Sequence, residues 1–396
     1  MIFAQVGWGK GGYVEDGAND GSLSGAVLSP RDDEPGALAS YASGLKRGFG
    51  RHGVSMVDPQ FYVTMISGAR DGNLPLYDYY TRSLTRASFD AVEVRRYAKQ
   101  VLQFQSSLDV DRWVSPTVLF NSFNDPLSQV ALLLAQASIA EWKSKKSGKP
   151  LLISLALDEQ ALRDRASLDE YLDAISTLDA KGFYLCVRRN DPSYPASYEE
   201  DVLVNLMYLT YVLGNRNSFE VVHGYTDIVG ALLLAAGAEA ICSGWYSNLR
   251  QFSLARFMPT TGGRSPRPRY TSRQLMNSIF VNPEMYQIAQ AGKLADVISV
   301  TGYDTEMGND PLKADWPRKA SCLHHWKVLS NIGKTVTADK KVAERLTALE
   351  GLLKVAQATY SDLGSAGVTF EPMTGPREVT MWQRAVKRFR AEVGLR

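Results

Sequence analysis

The chain contains few cysteines and no cluster of them: three occur among 396 residues. Cys186, Cys242 and Cys322 are widely separated, lie among apolar or small residues, and form no Cys-x-x-Cys pair. This spacing argues against a disulfide framework and against a thiolate zinc site, and it is typical of reduced, buried thiols in a cytosolic protein. The sequence therefore predicts no bound metal.

A long apolar run and an excess of one charge are also absent. The longest apolar stretch, residues 228–236, is far shorter than the roughly 20 residues that a membrane-spanning helix needs, so we expect no membrane partner. The opening segment MIFAQVGWGKGG lacks a basic region followed by an apolar core, which predicts no signal peptide and a cytoplasmic location. Lysine and arginine total 44 against 42 acidic residues, so net charge alone neither requires nor excludes a nucleic-acid partner.

Strand and helix patterns alternate along most of the chain. Each predicted strand up to residue 222 precedes a helix of about three turns, and such alternation favours a parallel (β/α)₈ TIM barrel over an open doubly wound sheet. No GxGxxG or GxxxxGK[ST] motif supports a nucleotide-binding open sheet, and we expect no bound cofactor. The predicted strands are 24–28, 54–57, 113–120, 151–157, 182–189, 219–222 and 239–243.

The pattern changes after the last of these strands. Residues 262–273 are basic and punctuated by proline, which predicts an exposed loop, and helix patterns follow at 318–330, 343–360 and 377–393. We therefore expect three parts. They are an N-terminal segment (1–23), the barrel (24–310) and a helical C-terminal extension packed on the barrel (311–396).

Two candidate catalytic residues follow predicted strands, where side chains of a barrel face the active side. Asp58 precedes Pro59 and is suited to general acid–base work or to hydrogen bonding a substrate; alternatively, it caps the following turn. His223 precedes a glycine and is suited to proton transfer near neutral pH, although a lone histidine is more often structural.

Other strand ends carry candidate binding residues. Arg188 and Arg189 are suited to hold a phosphate or carboxylate in a bidentate fork, or to form an ion pair within the protein. Tyr246, Asn248 and Arg250 follow a buried strand together with an adjacent tryptophan, a combination that can stack on and hydrogen bond a base or sugar.

The basic loop supplies the candidate nucleic-acid contacts. Its arginines stand between prolines and an aromatic residue, and a loop stiffened by proline loses less entropy when it binds a phosphate backbone. These residues are Arg264, Arg267, Arg269 and Arg273.

The order of the elements over residues 54–389 resembles that of the tRNA-guanine transglycosylase family of TIM barrels. The segments that carry the resemblance are VSMVDPQFY, VLFNSFNDP, LLISLALDEQAL, GFYLCVRRND, VVHGYTDIVGALLLAAGAEAICSGWYSNLR and KASCLHHWKVL. The resemblance implies that Asp58 is the retained acid. It also implies that Asn121 and Asp158 occupy the places of the family's base-recognising aspartate and glutamine.

The sequence departs from the family's pattern at several positions. Cys242 or Ser243 stands where the family has its nucleophilic aspartate, and Arg188 and Arg189 stand where two glycines admit the base. The family's three closely spaced cysteines that bind zinc are absent.

Three functions are therefore open. The resemblance implies a divergent transglycosylase, a pentosyltransferase that exchanges or modifies bases in tRNA or DNA. The departures favour a catalytically inactive barrel that serves, with protein partners, as a binding or scaffold subunit of a nucleic-acid modification or defence complex. A small-molecule lyase or hydrolase on the same fold is the third. A barrel mouth filled by side chains, with Arg188 paired internally, would argue against catalysis.

Overall fold

The computed structural model describes residues 1–50, 53–259 and 266–395. Its parallel strands form a barrel with eight strand positions, the fourth of which is shared by two short strands. Strands that follow one another in the chain are neighbours in the barrel, and a bridge between Met56 and Arg112 joins the third position to the fourth. The fully buried, apolar strands are typical of a parallel sheet covered by helices. The strands are β1 (Ile2–Gln5), β2 (Gly25–Leu28), β3 (Val54–Val57), β4 (Trp113–Val114), β5 (Leu119–Phe120), β6 (Leu151–Asp158), β7 (Gly182–Arg188), β8 (Glu220–His223) and β9 (Ala240–Ser243).

The TIM-barrel prediction is confirmed, but the barrel begins earlier than the sequence indicated. β1 lies in the segment 1–23, pairs with both β2 and β9, and so closes the ring. The strand predicted over 113–120 is divided into β4 and β5, which both pair with β6. Pro116 lies between them and has no N–H group to donate to the neighbouring strand.

Helices cover the outside of the barrel between the strands. Several begin at an aspartate whose carboxylate accepts backbone N–H groups of the first turn: Asp90, Asp125 and Asp164 each cap a helix in this way. The helices are α1 (Tyr13–Asn19), α2 (Pro35–Phe49), α3 (Ala91–Ser106), α4 (Pro126–Lys145), α5 (Arg165–Ile175), α6 (Glu200–Tyr211) and α7 (Gly230–Ala236).

A long insertion separates β9 from the eighth barrel helix. It contains an antiparallel hairpin, so part of the predicted exposed loop 262–273 is a strand. The hairpin strands are β10 (Arg269–Ser272) and β11 (Asn277–Phe280), and two short helices follow, α8 (Tyr286–Gln290) and α9 (Thr305–Asn309).

The three helices predicted near the C-terminus are confirmed as α10 (Arg318–Val336), α11 (Val342–Ser365) and α12 (Arg377–Val393). α10 packs between α7 and α1 and is the eighth helix of the barrel, while α11 lies against α7 and α12 against α6. The close approach of α10 to α1 needs a glycine, since a Cβ on Gly17 would lie 3.0 Å from the Trp326 ring.

Among the helices within the described ranges, none combines the length and the apolarity that crossing a bilayer requires.

Candidate functional site

Side chains fill the centre of the barrel mouth. Phe252 and Phe257, from the segment that follows β9, pack edge-on against Tyr62, with the Tyr62 and Phe252 ring centroids 5.1 Å apart. The Tyr225 ring adds a further layer 5.3 Å from the Phe252 centroid. All four rings are buried, so the mouth is closed above the strand ends.

Asp58 lies beneath these rings and is buried. Its carboxylate accepts hydrogen bonds from the Gln60 backbone N–H (2.9 Å), the Tyr62 hydroxyl (2.8 Å) and the Tyr184 hydroxyl (3.4 Å). Burial raises the pKa of Asp58 from its ordinary value of 3.8 to about 6, and these donors oppose that shift. A carboxyl with this pKa is suited to proton transfer, but the aromatic layer leaves no room for a substrate beside it.

A buried ion pair holds the covering segment in place. The Arg256 guanidinium donates to the Asp32 carboxylate at 2.5 Å, and both side chains are almost fully buried. Asp32 also accepts from the Ser29 hydroxyl (2.7 Å) and pairs with Arg31 (3.2 Å). The segment after β9 is thereby joined to the loop after β2, across the mouth.

Arg188 and Arg189 are paired within the protein. Arg188 forms an ion pair with Asp158, the predicted substrate-binding acid, and Arg189 forms one with Glu159. The Arg189 guanidinium also lies 3.7 Å from the centroid of the Tyr198 ring. Both features that argue against catalysis in the mouth are therefore present, because the mouth is filled and Arg188 is neutralised.

A small cavity of about 350 Å³ lies at the edge of the mouth. Asn121 and Arg188, two predicted substrate-binding residues, line it together with Tyr62 and several aliphatic side chains. Tyr62 links this cavity to Asp58 through the hydrogen bond described above. The predicted residues Asn121 and Arg188 therefore meet in this cavity.

His223 does not face the mouth. Its Nε2 atom lies 2.9 Å from the hydroxyl of Thr210 on α6, so the ring lies between the sheet and the helix layer. Burial lowers the pKa of His223 from its ordinary 6.5 to about 3, which keeps the imidazole neutral at physiological pH. We therefore assign His223 no proton transfer.

A cleft of about 650 Å³ opens at the rim beside β9 and is lined by several arginines and aromatic side chains. We call it the arginine–aromatic cleft. Its walls come from the segment after β9, the hairpin, the start of α10 and the loop after β7. Its main lining residues are Tyr194, Trp245, Tyr246, Asn248, Arg250, Arg267, Arg269, Phe280, Trp316 and Arg318.

The guanidinium groups of this cleft are incompletely neutralised. In the described part of the chain, Arg250, Arg269 and Arg318 have no carboxylate within ion-pair distance, whereas Arg267 pairs with Glu371 at 2.7 Å. Arg250 and Arg269 are held in place by neutral oxygens, the former by the Tyr194 hydroxyl (3.0 Å) and the latter by the Ser278 carbonyl (2.7 Å). The cleft therefore presents positive charge on side chains that are already oriented.

Two features beside the guanidinium groups shape the local charge. Asp227 lies beneath Arg250, and burial raises the pKa of its carboxyl, which Arg250 opposes. α10 begins at Arg318 behind Pro317, at the edge of the cleft, and no side chain of the described residues caps its first N–H groups. The partial positive charge of a helix N-terminus favours anions there.

The sequence predicted the two halves of this cleft as separate sites. Tyr246, Asn248 and Arg250 come from one predicted site, and Arg267 and Arg269 from the other. Arg273 lies apart from them at the hairpin turn, where it donates to the Thr335 hydroxyl (3.4 Å). Arg264 lies outside the described residues.

Four of the main lining residues were missed from the sequence: Tyr194, Phe280, Trp316 and Arg318. The Trp-Pro-Arg run at 316–318 did carry a signal, since a proline directly before a helix pattern marks a helix N-terminus. Tyr194 and Phe280 are far apart in the sequence and carried none.

A Ser–His–Asp group near the cleft lacks the geometry of a hydrolase. Both the Ser243 hydroxyl (3.2 Å) and Asp227 (3.3 Å) lie at Nε2 of His325, while Nδ1 faces the Thr271 hydroxyl (2.9 Å). In a catalytic triad the nucleophile and the acid use opposite ring nitrogens. Within the described ranges, no group of three or more histidine, cysteine, aspartate or glutamate residues is arranged to hold a metal ion.

Solved structures that match the chain are TIM-barrel proteins of low identity. A protein provisionally described as a dihydrodipicolinate synthetase from Pseudomonas aeruginosa is 12% identical, with 98% of each chain covered and a TM-score of 0.32. Dihydrodipicolinate synthases from Oceanobacillus iheyensis and Bacillus clausii are each 10% identical. They cover 98% and 100% of this chain and 96% and 98% of their own, with TM-scores of 0.23 and 0.24.

No protein-family model matches the chain, and no curated protein matches it significantly.

Proposed function

We propose that this barrel binds a ligand that carries both a phosphate and a planar ring, the chemistry of a nucleotide unit, in the arginine–aromatic cleft. The observation that carries the proposal is a set of three arginines, Arg250, Arg269 and Arg318, in a cavity walled by aromatic side chains. Among the residues that the structure describes, none of the three has a carboxylate partner. Its volume, about 650 Å³, falls within the range of ligand pockets.

The arginines are suited to the phosphate. A guanidinium donates from a planar fork that matches two phosphate oxygens, and its charge persists at all physiological pH values. The guanidinium carbon of Arg269 lies 3.8 Å from the centroid of the Phe280 ring, a contact that restrains the group. Because these groups are oriented before binding, little side-chain entropy is lost when the anion arrives.

The aromatic residues are suited to the ring. Tyr246 and Trp316 are half-buried and keep part of their rings accessible at the cleft. A base can stack on such a face whatever its identity, whereas the exposed Asn248 amide can donate to and accept from a base edge or sugar.

In this proposal the protein is a binding or scaffold subunit rather than a base-exchange enzyme. Two features support that role. The filled mouth leaves no room for a base beside Asp58, and the ion pair with Asp158 neutralises Arg188. Protein partners that perform the chemistry belong to the same proposal.

Replacing Arg269 and Arg318 by glutamine should weaken binding of labelled single-stranded oligonucleotide by about tenfold in 0.1 M salt. Two lost phosphate contacts should also reduce the slope of log K against log salt by about 1.4. Fluorescence anisotropy across a salt series measures both quantities, with tRNA and duplex DNA tested in parallel.

The matched control replaces Arg95 and Arg96, two exposed arginines of α3 on the opposite side of the barrel. Affinity should be unchanged in this variant. Equal losses in both double variants would show nonspecific charge attraction, and the proposal would be wrong.

Small-molecule chemistry is the second candidate function. The cavity lined by Asn121 and Arg188 favours it, because Tyr62 connects that cavity to Asp58. This function requires the aromatic layer to open in solution and expose Asp58, and a stability measurement tests whether it does.

We expect the stability of the wild type to fall relative to Asp58→Asn as the pH rises from 4 to 7. The folded pKa of Asp58 is raised to about 6, so the folded state holds its proton more tightly than the unfolded state does. The resulting stability is present below the ordinary value of 3.8 and is lost as the pH rises through 6, by up to about 3 kcal/mol in total. Urea unfolding of both proteins checks this, and a constant difference would indicate an open mouth and favour the second candidate.

A further inference from the structure

Trp8 exposes an unusually large aromatic surface at the same rim. It lies in the loop between β1 and α1 and is 73% exposed, whereas most tryptophans of folded proteins are largely buried. Its exposed ring has no role in the barrel core and is not among the residues that line the arginine–aromatic cleft. An exposed indole at the active face of a barrel is suited to stacking on a ligand.

The backbone of Trp8 is held beside the cleft. The Trp245 indole N–H donates to the Trp8 carbonyl at 3.1 Å, and Trp245 lines the cleft. The next residue, Gly9, has a φ of 73°, and a Cβ there would lie 3.3 Å from the Tyr246 hydroxyl. Trp8 and Tyr246 are therefore neighbours on one rim, with the backbone between them close to the Tyr246 side chain.

The cations that line this rim differ in how far they are neutralised. Lys10 pairs with Asp33, and Lys319 pairs with Asp16 at 2.6 Å. Arg318, by contrast, lies over the Tyr246 ring with its guanidinium carbon 5.2 Å from the centroid and has no ion-pair partner among the described residues. Positive charge without an ion-pair partner among the described residues therefore begins at Arg318, over the Tyr246 ring, and continues into the cleft. Trp8 adds a neutral aromatic face outside the cleft.

We infer that the ligand of this site is single-stranded nucleic acid that occupies the cleft with one nucleotide and stacks a neighbouring base on Trp8. This inference rests on the proposed function of the cleft and extends it from a nucleotide unit to a strand. An exposed indole beside a cleft lined by guanidinium groups and aromatic rings matches the alternation of bases and phosphates along a strand. A duplex cannot use them, since its bases are stacked inside the helix.

Chain-length dependence of binding tests this inference. Competition anisotropy would compare AMP with adenylate oligomers of increasing length, as RNA and as DNA, and with a duplex of the same sequence. We expect oligomers of two or more nucleotides to bind more tightly than AMP. Trp8→Ala should weaken oligomer binding by about 5- to 100-fold and leave the AMP affinity unchanged.

Two further variants separate stacking from other effects. Trp8→Phe keeps an aromatic face and should retain most of the length-dependent gain. Leu133→Ala removes an exposed apolar side chain from α4, across the barrel, and should change nothing.

The outcomes distinguish the inference from the function on which it rests. If AMP and the oligomers bind equally, or if Trp8→Ala leaves oligomer affinity unchanged, the inference is wrong and the nucleotide-binding proposal stands. If a duplex binds as tightly as the single strand, the inference is also wrong. No binding of AMP or of any oligomer at low salt would overturn both.

Discussion

Arg256→Met should lower the free energy of unfolding by about 3–5 kcal/mol. Arg256 and Asp32 form an ion pair at 2.5 Å with side-chain exposures of 4% and 7%. Removal of the arginine leaves the Asp32 carboxylate buried with only Arg31 and the Ser29 hydroxyl beside it. Most of the loss is the desolvation of this carboxylate, which keeps Arg31 as a cationic partner but loses the buried one. Urea unfolding at neutral pH measures it.

The double variant Arg256→Met/Asp32→Asn should recover much of that loss, because it removes the buried carboxylate charge as well. As a control, Arg384→Met breaks the exposed ion pair with Glu200 and should cost at most about 1 kcal/mol. A loss in Arg256→Met no larger than in Arg384→Met would mean that solvent reaches the pair, and the mouth would then be open in solution.

Acidification from pH 7 to pH 4 should destabilise the wild type by about 3 kcal/mol more than His223→Gln. The folded pKa of His223 is lowered to about 3, so between that value and 6.5 the unfolded state binds the proton more tightly. The contribution of the neutral imidazole is present above pH 6.5 and is lost as the pH falls toward 3. Chemical unfolding at several pH values, taken as a difference between the two proteins, isolates this residue from the other buried histidines.

Thr210→Val provides the control for the cause of this effect. Burial is what lowers the pKa of His223, so loss of the hydrogen bond to Thr210 should leave the pH dependence as steep as in the wild type. If Thr210→Val flattens the dependence as much as His223→Gln does, the hydrogen bond rather than burial controls the proton. Identical pH dependence in the wild type and His223→Gln would place the ring in contact with water.

The sequence alone determined the architecture because its signals are local. Apolar periodicity within each segment predicted the strands from β2 to β9 and the helices α10 to α12, and the alternation predicted a barrel. β1 was not predicted, because a strand of four residues near the start of the chain is recognised only by its pairing with β2 and β9. The division of the predicted strand 113–120 into β4 and β5 did have a local signal, Pro116, which the strand prediction did not use.

Only the tertiary structure decided which residues act together. His223 and Asp58 both follow strand patterns, yet one side chain faces the helix layer and the other faces the mouth, because the side chains of a strand alternate between its faces. Arg250 and Arg269 share a cleft because the hairpin folds back over the end of β9. Burial, pairing and closure of the mouth by Arg256 depend on contacts between segments far apart in the chain, which no local pattern records.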